Sequence, residues 1–288
     1  MKIGIVISGG DVSGINNFIF QIARLANADI TIFNGGIPGL LDKNHQEVAW
    51  RDLVDFSIAS IPIITSGRTS RRLLRSEYET IAKKIKSLRI DVLIMAGGDG
   101  SLQFLNTLSE FDINCFGVGM TIDNDVYGSD YTIGFSTACE QIIKEVSRLR
   151  NTGRALPGRV FMVEILGGYC GELTLQSAIK SNADIALIPE SQLPLETLAE
   201  RVKHKLTQQN SVVILCSEGY TREYSPGFQG AIDTMIKQLE PQIGVRIRKT
   251  IVGYGLRNGD PTCEEIYQGT IMASEVVRCI QSGMKNKA

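Results

Sequence analysis

The chain has 288 residues, of which 43% are hydrophobic, and a formal net charge of -1. This length suffices for one large domain or two modest ones with a sizeable core. The near balance of charge disfavours a partner held by gross electrostatics, such as nucleic acid or a membrane surface. No apolar stretch approaches the roughly 20 residues of a membrane span.

The cysteines and histidines limit which side chains are expected to be catalytic. The six cysteines are scattered without metal-ligand spacing, and those in apolar surroundings (Cys115, Cys170 and Cys216) are predicted to be reduced core thiols. The N-terminus shows no secretory signal, so we expect a cytoplasmic location. The two histidines, His45 and His204, lie among polar neighbours. Carboxylates and arginines are therefore expected to carry any catalysis.

Short apolar runs alternate with helical patterns along the chain. The predicted strands are 2–7, 29–33, 60–65, 91–96, 113–118, 159–165, 184–188, 212–217 and 248–254. The predicted helices are 14–26, 72–88, 100–109, 135–150, 171–181, 194–208, 226–239 and 263–283. This alternation predicts an α/β fold whose mainly parallel sheets are covered on both faces. Such sheets bind ligands at the carboxyl ends of their strands.

Two glycine-rich turns follow predicted strands and precede predicted helices. The first is Ser8-Gly9-Gly10-Asp11-Val12-Ser13-Gly14, and the second is Gly97-Gly98-Asp99-Gly100-Ser101. A strand, glycine turn and helix in this order present backbone N–H groups and a helix N-terminus to phosphate. Asp99 would hold Mg²⁺ directly or through water. One such turn is typical of an ordinary βα connection, whereas two beside an acidic segment favour phosphoryl transfer.

The acidic segment is Thr121-Ile122-Asp123-Asn124-Asp125, directly after an apolar run. If the strand continues through it, Thr121, Asp123 and Asp125 project to one side, because strand side chains repeat every two residues. Clustered carboxylates are a costly way to build a core. They suit a general base beside a metal-bound phosphate.

Over nearly its whole length the chain resembles the 6-phosphofructokinases of the two-domain bacterial type. The matching motifs are Ser8-Gly9-Gly10-Asp11, Gly97-Gly98-Asp99-Gly100-Ser101, Thr121-Ile122-Asp123-Asn124-Asp125, Gly128-Ser129-Asp130-Tyr131-Thr132-Ile133-Gly134-Phe135, Tyr169-Cys170-Gly171-Glu172-Leu173-Thr174-Leu175 and Pro189-Glu190. The resemblance implies two similar three-layer α/β domains with the active site in the cleft between them. It implies a nucleotide-binding domain at 1–134 plus 253–288 and a sugar-phosphate-binding domain at 135–252.

The resemblance also implies a reaction: transfer of the γ-phosphoryl group of Mg-ATP to the 1-hydroxyl of fructose 6-phosphate. Asp123 would accept the hydroxyl proton, Thr121 would touch the same substrate, and Arg68 would reach the transferring phosphoryl group. Asp99 and Asp125 would hold Mg²⁺. The nucleotide phosphates would lie against Gly9, Arg68, Gly98, Asp99, Gly100 and Ser101.

For the sugar phosphate, the resemblance implies a site completed by a neighbouring subunit in a homo-oligomer. The arginines that match holders of the 6-phosphate are Arg159, Arg248 and Arg257. Glu218 would read sugar hydroxyls. The remaining substrate-binding positions are Leu166, Gly167, Gly168 and Tyr254.

Several positions depart from the family pattern. Gly168 replaces an arginine, Tyr254 replaces a histidine, and Phe20 replaces an arginine of the effector site, although Arg24 remains. Gly100 favours ATP as donor, while Met120 fits neither ATP nor pyrophosphate users. Phe104 stands at a position that is small in the family. Three readings therefore remain: the ordinary kinase, a kinase with another sugar phosphate or pyrophosphate donor, and a catalytically weak regulatory paralogue.

Overall fold

Strands and helices alternate in the computed structural model, which describes residues 1–42, 44–69, 71–224 and 230–287. The first half contains β1 Lys2–Ser8, α1 Ile15–Ala26, β2 Asp29–Phe33, α2 Gly36–Leu41, β3 His45–Val48, a 3₁₀ helix Trp50–Phe56, α3 Arg75–Ser87, β4 Val92–Gly97, α4 Asp99–Ser109 and β5 Cys115–Gly119. The second half contains α5 Phe135–Ala155, β6 Arg159–Ile165, α6 Glu172–Ser181, β7 Ile185–Leu187, α7 Leu195–Gln208, β8 Ser211–Ser217, a 3₁₀ helix Glu218–Tyr224, α8 Ala231–Ile243, β9 Ile247–Ile251, a 3₁₀ helix Gly253–Arg257 and α9 Cys263–Gln281.

The chain divides into two compact units. The first comprises Met1–Thr121, Asp125–Thr137 and Arg257–Ala288, and the second Ile122–Asn124 and Ala138–Leu256. Within the residues that the structure describes, each unit contains one sheet. The predicted α/β class with mainly parallel sheets is confirmed.

The sheet of the first unit has the strand order β3-β2-β1-β4-β5 within the described residues. Only the β2–β3 pair is antiparallel there. Consecutive residues of β1 and β4 are buried, which requires cover on both faces because alternate side chains point in opposite directions. One face packs against α2, α3 and α4 through a cluster that includes Val6, Phe33, Ile37, Ile85 and Leu108.

The sheet of the second unit is fully parallel, in the order β7-β8-β6-β9. Its central strands β6 and β8 are apolar and buried. One face packs against α7 and α8 through Met162, Ile214, Val202 and Met235 among others. The core therefore fixes the strand ends, from which the loops of each unit begin.

The predicted strand at 60–65 is wrong, because this segment is irregular. The buried side chain of Asn16 in α1 replaces a strand neighbour: its amide nitrogen donates to the carbonyls of Phe56, Ala59 and Ile61, and its oxygen accepts from the amide of Ile63. A side chain from a distant helix satisfies these backbone groups, so no ladder is needed.

Other differences concern weakly patterned segments. Strand β3 was not predicted, because His45-Gln46-Glu47-Val48 lacks the apolar alternation of a half-buried strand. The helix predicted at 226–239 begins at Ala231, and residues 226–229 lie outside the described residues. Helix α5 continues to Ala155, five residues beyond its predicted end.

Candidate active site

The carboxyl ends of three parallel strands lie side by side in the first unit. In the sheet register Ser8 of β1 pairs with Gly97 of β4, and Gly97 pairs with Gly119 of β5. The loops that follow these residues are the first glycine turn, the second glycine turn and the acidic segment. The register therefore starts all three predicted functional loops at one edge of the sheet.

The first glycine turn is braced by the segment that carries Arg68. The amide of Gly9, which has a φ of 103°, donates to the carbonyl of Gly67 at 3.3 Å, and the hydroxyl of Ser8 donates to the same oxygen at 3.3 Å. Nε of Arg68 donates in return to the carbonyl of Gly9. The guanidinium of Arg68 is thereby fixed beside the turn.

The second glycine turn is joined to the first and presents open backbone. The hydroxyl of Ser101 donates to the carbonyl of Ser8 at 3.2 Å. Cβ atoms at Gly98 and Gly100 would meet no heavy atom within 4 Å, and Asp99 is exposed at the first position of α4. Open backbone at a helix N-terminus is suited to contact by phosphate.

The acidic segment differs from its predicted form. Strand β5 ends at Gly119, Ile122 and Asp123 lie in a turn, and Asn124 has a φ of 53°. Strand periodicity therefore does not place Thr121, Asp123 and Asp125 on one side, and that expectation was wrong.

A later segment pairs with the end of β5. The amide of Ile133 donates to the carbonyl of Gly119 at 3.0 Å, and the hydroxyl of Thr132 donates to the carbonyl of Thr121 at 2.7 Å. Residues 132–133 thus pair with the outer edge of β5, where Met120 and Ile133 form an isolated parallel bridge. The backbone that leads to Asp123 is therefore held at Gly119 and at Thr121.

Asp99 and Asp125 interact electrostatically. Burial raises the pKa of the Asp125 carboxyl above its ordinary value, against a backbone hydrogen bond, and the negative charge of Asp99 raises it further. The residues that the structure describes contain no group of three or more His, Cys, Asp or Glu side chains suited to a metal. Two neighbouring carboxylates fit Mg²⁺, which usually takes one or two protein carboxylates and completes its shell with phosphate and water.

A cavity of about 620 Å³ adjoins the second glycine turn. Gly100, Phe104, Arg72 and Tyr78 are among its lining residues, whereas Met120 is not. Phe104 is buried and its ring stacks on Tyr78, with centroids 5.1 Å apart. Of the two atypical residues Phe104 and Met120, only Phe104 therefore lines this cavity.

In the second unit, a tight turn at Leu166-Gly167-Gly168 follows the carboxyl end of β6. Gly167 and Gly168 have φ values of 149° and 56°, and both donate their amides to Oε1 of Glu218, at 3.2 and 2.8 Å. Glu218 follows β8, next to β6 in the sheet. Glu218 and the Leu166-Gly167-Gly168 turn therefore form one structure.

The predicted sugar-phosphate residues fall into separate groups. Arg159 begins β6 and Arg248 is the second residue of β9, so both lie toward the amino end of the sheet, opposite Glu218. Leu166 lies seven positions after Arg159, about 23 Å away at strand spacing. Tyr254 is exposed in the Gly253–Arg257 helix.

Arg257 lies against the first glycine turn. A Cβ atom at Gly10 would be 2.7 Å from Nη1 of Arg257. Its Nε is buried and has no hydrogen-bond partner among the described residues. The first glycine turn thus has an arginine on each of Gly9 and Gly10.

Two glutamates near these loops were not singled out from the sequence. Burial raises the pKa of Glu164 in β6, and the charge of Glu218 raises it further, while Lys249 opposes the shift. Glu265 in α9 is fully buried. A carboxylate inside an otherwise apolar strand was a usable signal for Glu164, whereas nothing local marked Glu265.

No helix among the described residues is long and apolar enough to cross a membrane. Glycine turns, an arginine and a carboxylate pair lie at the carboxyl edge of a mainly parallel sheet, an arrangement suited to an α/β phosphotransferase.

Comparisons with known proteins agree with that class. The phosphofructokinase family model matches residues 2–280, and the chain belongs to this family. It is 33% identical to the ATP-dependent 6-phosphofructokinase of Spiroplasma citri over 98% of this chain and 85% of that protein. It is 28% identical to the pyrophosphate--fructose 6-phosphate 1-phosphotransferase of Thermoproteus tenax over 98% of this chain and 87% of that protein.

Among solved structures, that of phosphofructokinase from Saccharomyces cerevisiae superposes with a TM-score of 0.85 at 25% identity. The match covers 98% of this chain and 42% of the yeast chain, so this chain spans less than half of that protein. The protein is therefore a 6-phosphofructokinase-like phosphotransferase, with relatives that use ATP and relatives that use pyrophosphate.

Proposed function

We propose that this protein transfers the γ-phosphoryl group of Mg-ATP to the 1-hydroxyl of fructose 6-phosphate, giving fructose 1,6-bisphosphate in glycolysis. The observation that carries the proposal is the register Ser8–Gly97–Gly119, which starts two glycine turns and the acidic segment at one sheet edge. The reduced-thiol pattern and the relatives support a cytoplasmic enzyme.

The donor phosphates are assigned to the two glycine turns. Gly9, Gly98, Gly100 and Ser101 form the cradle, and open backbone at Gly98 and Gly100 leaves room for close approach. Arg68, already fixed on Gly9, would neutralise charge on the transferring group. Phosphoryl transfer depends mainly on such positioning and electrostatic stabilisation, and the planar guanidinium suits phosphate oxygens.

Asp123 is assigned as the general base. The 1-hydroxyl oxygen of the sugar attacks the γ-phosphorus, its proton passes to Asp123, and ADP leaves with the bridging oxygen. Thr121 would touch the same hydroxyl region. Its backbone is tied to Thr132, which holds the approach to Asp123.

Asp99 and Asp125 are assigned to Mg²⁺. The ion would supply positive charge to the donor phosphates when bound. Without a cation the burial of Asp125 and the charge of Asp99 disfavour ionisation of Asp125. A carboxylate pair held under this repulsion is suited to divalent cation binding.

The sugar phosphate is assigned to the second unit, with help from a partner subunit. Glu218 and the Leu166-Gly167-Gly168 turn would read the sugar hydroxyls, and Tyr254 and Arg257 would lie near the phosphate. Because Arg159 and Arg248 lie at the other end of the sheet, we assign them to the site of a neighbouring subunit. A homo-oligomer would then be required for activity.

Pyrophosphate is the second candidate donor, and Phe104 is the observation that favours it. The buried ring of Phe104 occupies part of the region beside Gly100 where a donor base would extend. A donor without a base would not need that space. ATP remains the first choice, because the remaining cavity of about 620 Å³ is large enough for a base.

Initial rates with fructose 6-phosphate and Mg²⁺, measured with ATP and with pyrophosphate, test the proposal. We expect turnover with ATP and little with pyrophosphate. Turnover with pyrophosphate alone would overturn the donor assignment. A substrate panel in which another sugar phosphate is preferred would overturn the acceptor, and silence with every pair would support the non-catalytic paralogue.

The variant Phe104→Ala sharpens the donor test. It should lower the KM for ATP, and it should not alter the KM for pyrophosphate. Leu108→Ala is the matched control, since Leu108 is buried in the same cluster on α4 but does not line the cavity. Equal changes in ATP KM for both variants would indicate loss of packing instead of a donor contact.

A further inference from the structure

Glu265 is a fully buried carboxylate that contacts hydrogen-bond donors. Oε1 accepts from the amide of Gly134 at 2.6 Å, and Oε2 accepts from the amide and hydroxyl of Thr137 at 3.1 and 3.0 Å. The phenol of Tyr131 also donates to it. Within the described ranges no lysine, arginine or histidine forms an ion pair with Glu265, although burial of a charge without a cation is costly.

Burial raises the pKa of the Glu265 carboxyl, and its hydrogen-bond donors oppose that rise. Gly134 and Thr137 belong to the start of α5, where amides have no partner inside the helix. A carboxylate at that end also interacts favourably with the helix dipole. Glu265 is the third residue of α9 and therefore caps α5 from another helix.

The residues just before the capped end of α5 are the ones that hold the backbone leading into the acidic segment. Ile133 donates to the carbonyl of Gly119, and Thr132 donates to the carbonyl of Thr121. Both residues immediately precede Gly134. The position of the backbone before Asp123 therefore depends on where Glu265 holds the start of α5.

The same side chain also contacts the first glycine turn. A Cβ atom at Gly14, the last residue of that turn, would lie 2.6 Å from Cγ of Glu265. The hydroxyl of Ser13 donates to the carbonyl of Gly259 at 2.7 Å. This bond joins the same two segments, because Ser13 directly precedes Gly14 and Gly259 lies six residues before Glu265. Glu265 thus lies between the first glycine turn and the segment that supports Thr121.

We propose that Glu265 is a positioning residue that sets the first glycine turn relative to the backbone of Thr121 and, through it, the general base. The inference rests on the proposed function, since it concerns the alignment of donor and base in that reaction. It does not require Glu265 to touch either substrate. Its removal should therefore affect kcat more than the affinity for either substrate.

The test is Glu265→Gln, which keeps the size of the side chain but places an amide NH₂ against N–H and O–H donors. We expect kcat to fall by about 10²-fold, the loss typical of a small misalignment of reacting groups. The KM values for donor and sugar phosphate should stay within about threefold. Ligand-induced shifts in Tm, which do not depend on turnover, should persist for both substrates.

Asp184→Asn is the matched control for loss of a buried carboxylate. The Asp184 side chain is buried, accepts from the amide of Val213 at 2.7 Å and pairs with Arg150 at 2.9 Å, all within the second unit. We expect it to lower Tm without the loss of kcat. If Glu265→Gln fails to fold, Tyr131→Phe, which removes one donor to Glu265, should give a smaller loss of kcat in the same direction.

The outcomes separate the inference from the proposed function. An active wild type whose kcat is unchanged by Glu265→Gln, or equally reduced by Asp184→Asn, overturns the positioning role alone. So does loss of both ligand-induced Tm shifts in Glu265→Gln. A wild type that turns over no donor and acceptor pair overturns the proposed function, and with it the premise of this inference.

Discussion

At the scale of single residues, Asp123 carries the sharpest expectation. Asp123→Asn removes the proton acceptor but keeps the shape of the side chain. We expect kcat to fall by about 10²- to 10⁴-fold, the usual contribution of a general base. Steady-state rates, with Tm shifts by each ligand, would measure this. Near-normal turnover would refute the assignment of the base.

A second carboxylate serves as the control for that variant. Asp29 is exposed at the first residue of β2, at the end of the same sheet opposite the glycine turns. Asp29→Asn makes the same chemical change far from the proposed chemistry. Its kcat should equal that of the wild type.

Gly168 allows a test of the arginine that the family pattern has and this chain lacks. Its φ of 56° means that any side chain costs about 1–2 kcal/mol in backbone energy, and a Cβ atom there would meet open space. Gly168→Ala measures that backbone cost by itself. Gly168→Arg should exceed Gly168→Ala in kcat/KM for fructose 6-phosphate by about 30- to 900-fold, the equivalent of a charge-assisted contact of about 2–4 kcal/mol.

The comparison between these two variants decides the question. Equal kcat/KM values for alanine and arginine would mean that the turn does not face a negatively charged part of the substrate. The acceptor assignment would then move toward a different sugar phosphate.

At the scale of elements, local sequence patterns predicted helices, strands and turns well. Segments whose structure depends on long-range contacts were predicted wrongly. The glycine turns after β1 and β4 are set by adjacent strand, turn and helix signals, so the sequence was sufficient to place them. The acidic segment is a turn and not a strand end, and the backbone that leads into it is held by Ile133 and Thr132, which lie more than ten residues later and bond to Gly119 and Thr121. The segment 60–65 was misread because Asn16 bonds to it from α1.

The close approach of Gly67 to the backbone of Gly35 fixes the position of the segment that carries Arg68. A Cβ atom at Gly67 would lie 2.1 Å from the carbonyl oxygen of Gly35, a backbone atom that cannot move aside alone. Gly67→Ala should therefore displace the segment that braces Gly9 and lower both Tm and kcat. A tenfold or larger loss of kcat is expected from misplacement of Arg68.

A double-mutant cycle shows whether Gly67 acts through Arg68. If it does, Gly67→Ala combined with Arg68→Ala should have a kcat no lower than Arg68→Ala alone. Additive losses would mean that Gly67 supports some other part of the site. The cycle requires only kcat values at a temperature where all three variants are folded.

At the scale of the whole molecule, the sequence predicted the α/β class and the family but not how distant segments combine. Glu265 is an example: its partners Gly134 and Thr137 lie more than 120 residues earlier, and no local pattern marks their contact. That contact emerges only from the packing of α9. The separation of Arg159 and Arg248 from Glu218, in contrast, agrees with the predicted bounds, because each arginine begins a predicted parallel strand and Glu218 follows one.

That separation leads to a prediction about assembly. If one subunit supplies Asp123 and Arg68 to a site and its neighbour supplies Arg159, then Asp123→Asn and Arg159→Ala should each be inactive alone. Mixing the two variants under subunit exchange should restore activity, because a hybrid contains one site with both residues intact. Mixing Asp123→Asn with Arg68→Ala should restore nothing, since both defects then fall on residues from the same side of the site. Equal recovery in both mixtures, or none in the first, would place Arg159 outside a shared site and leave the phosphate of the substrate to Tyr254 and Arg257 of a single chain.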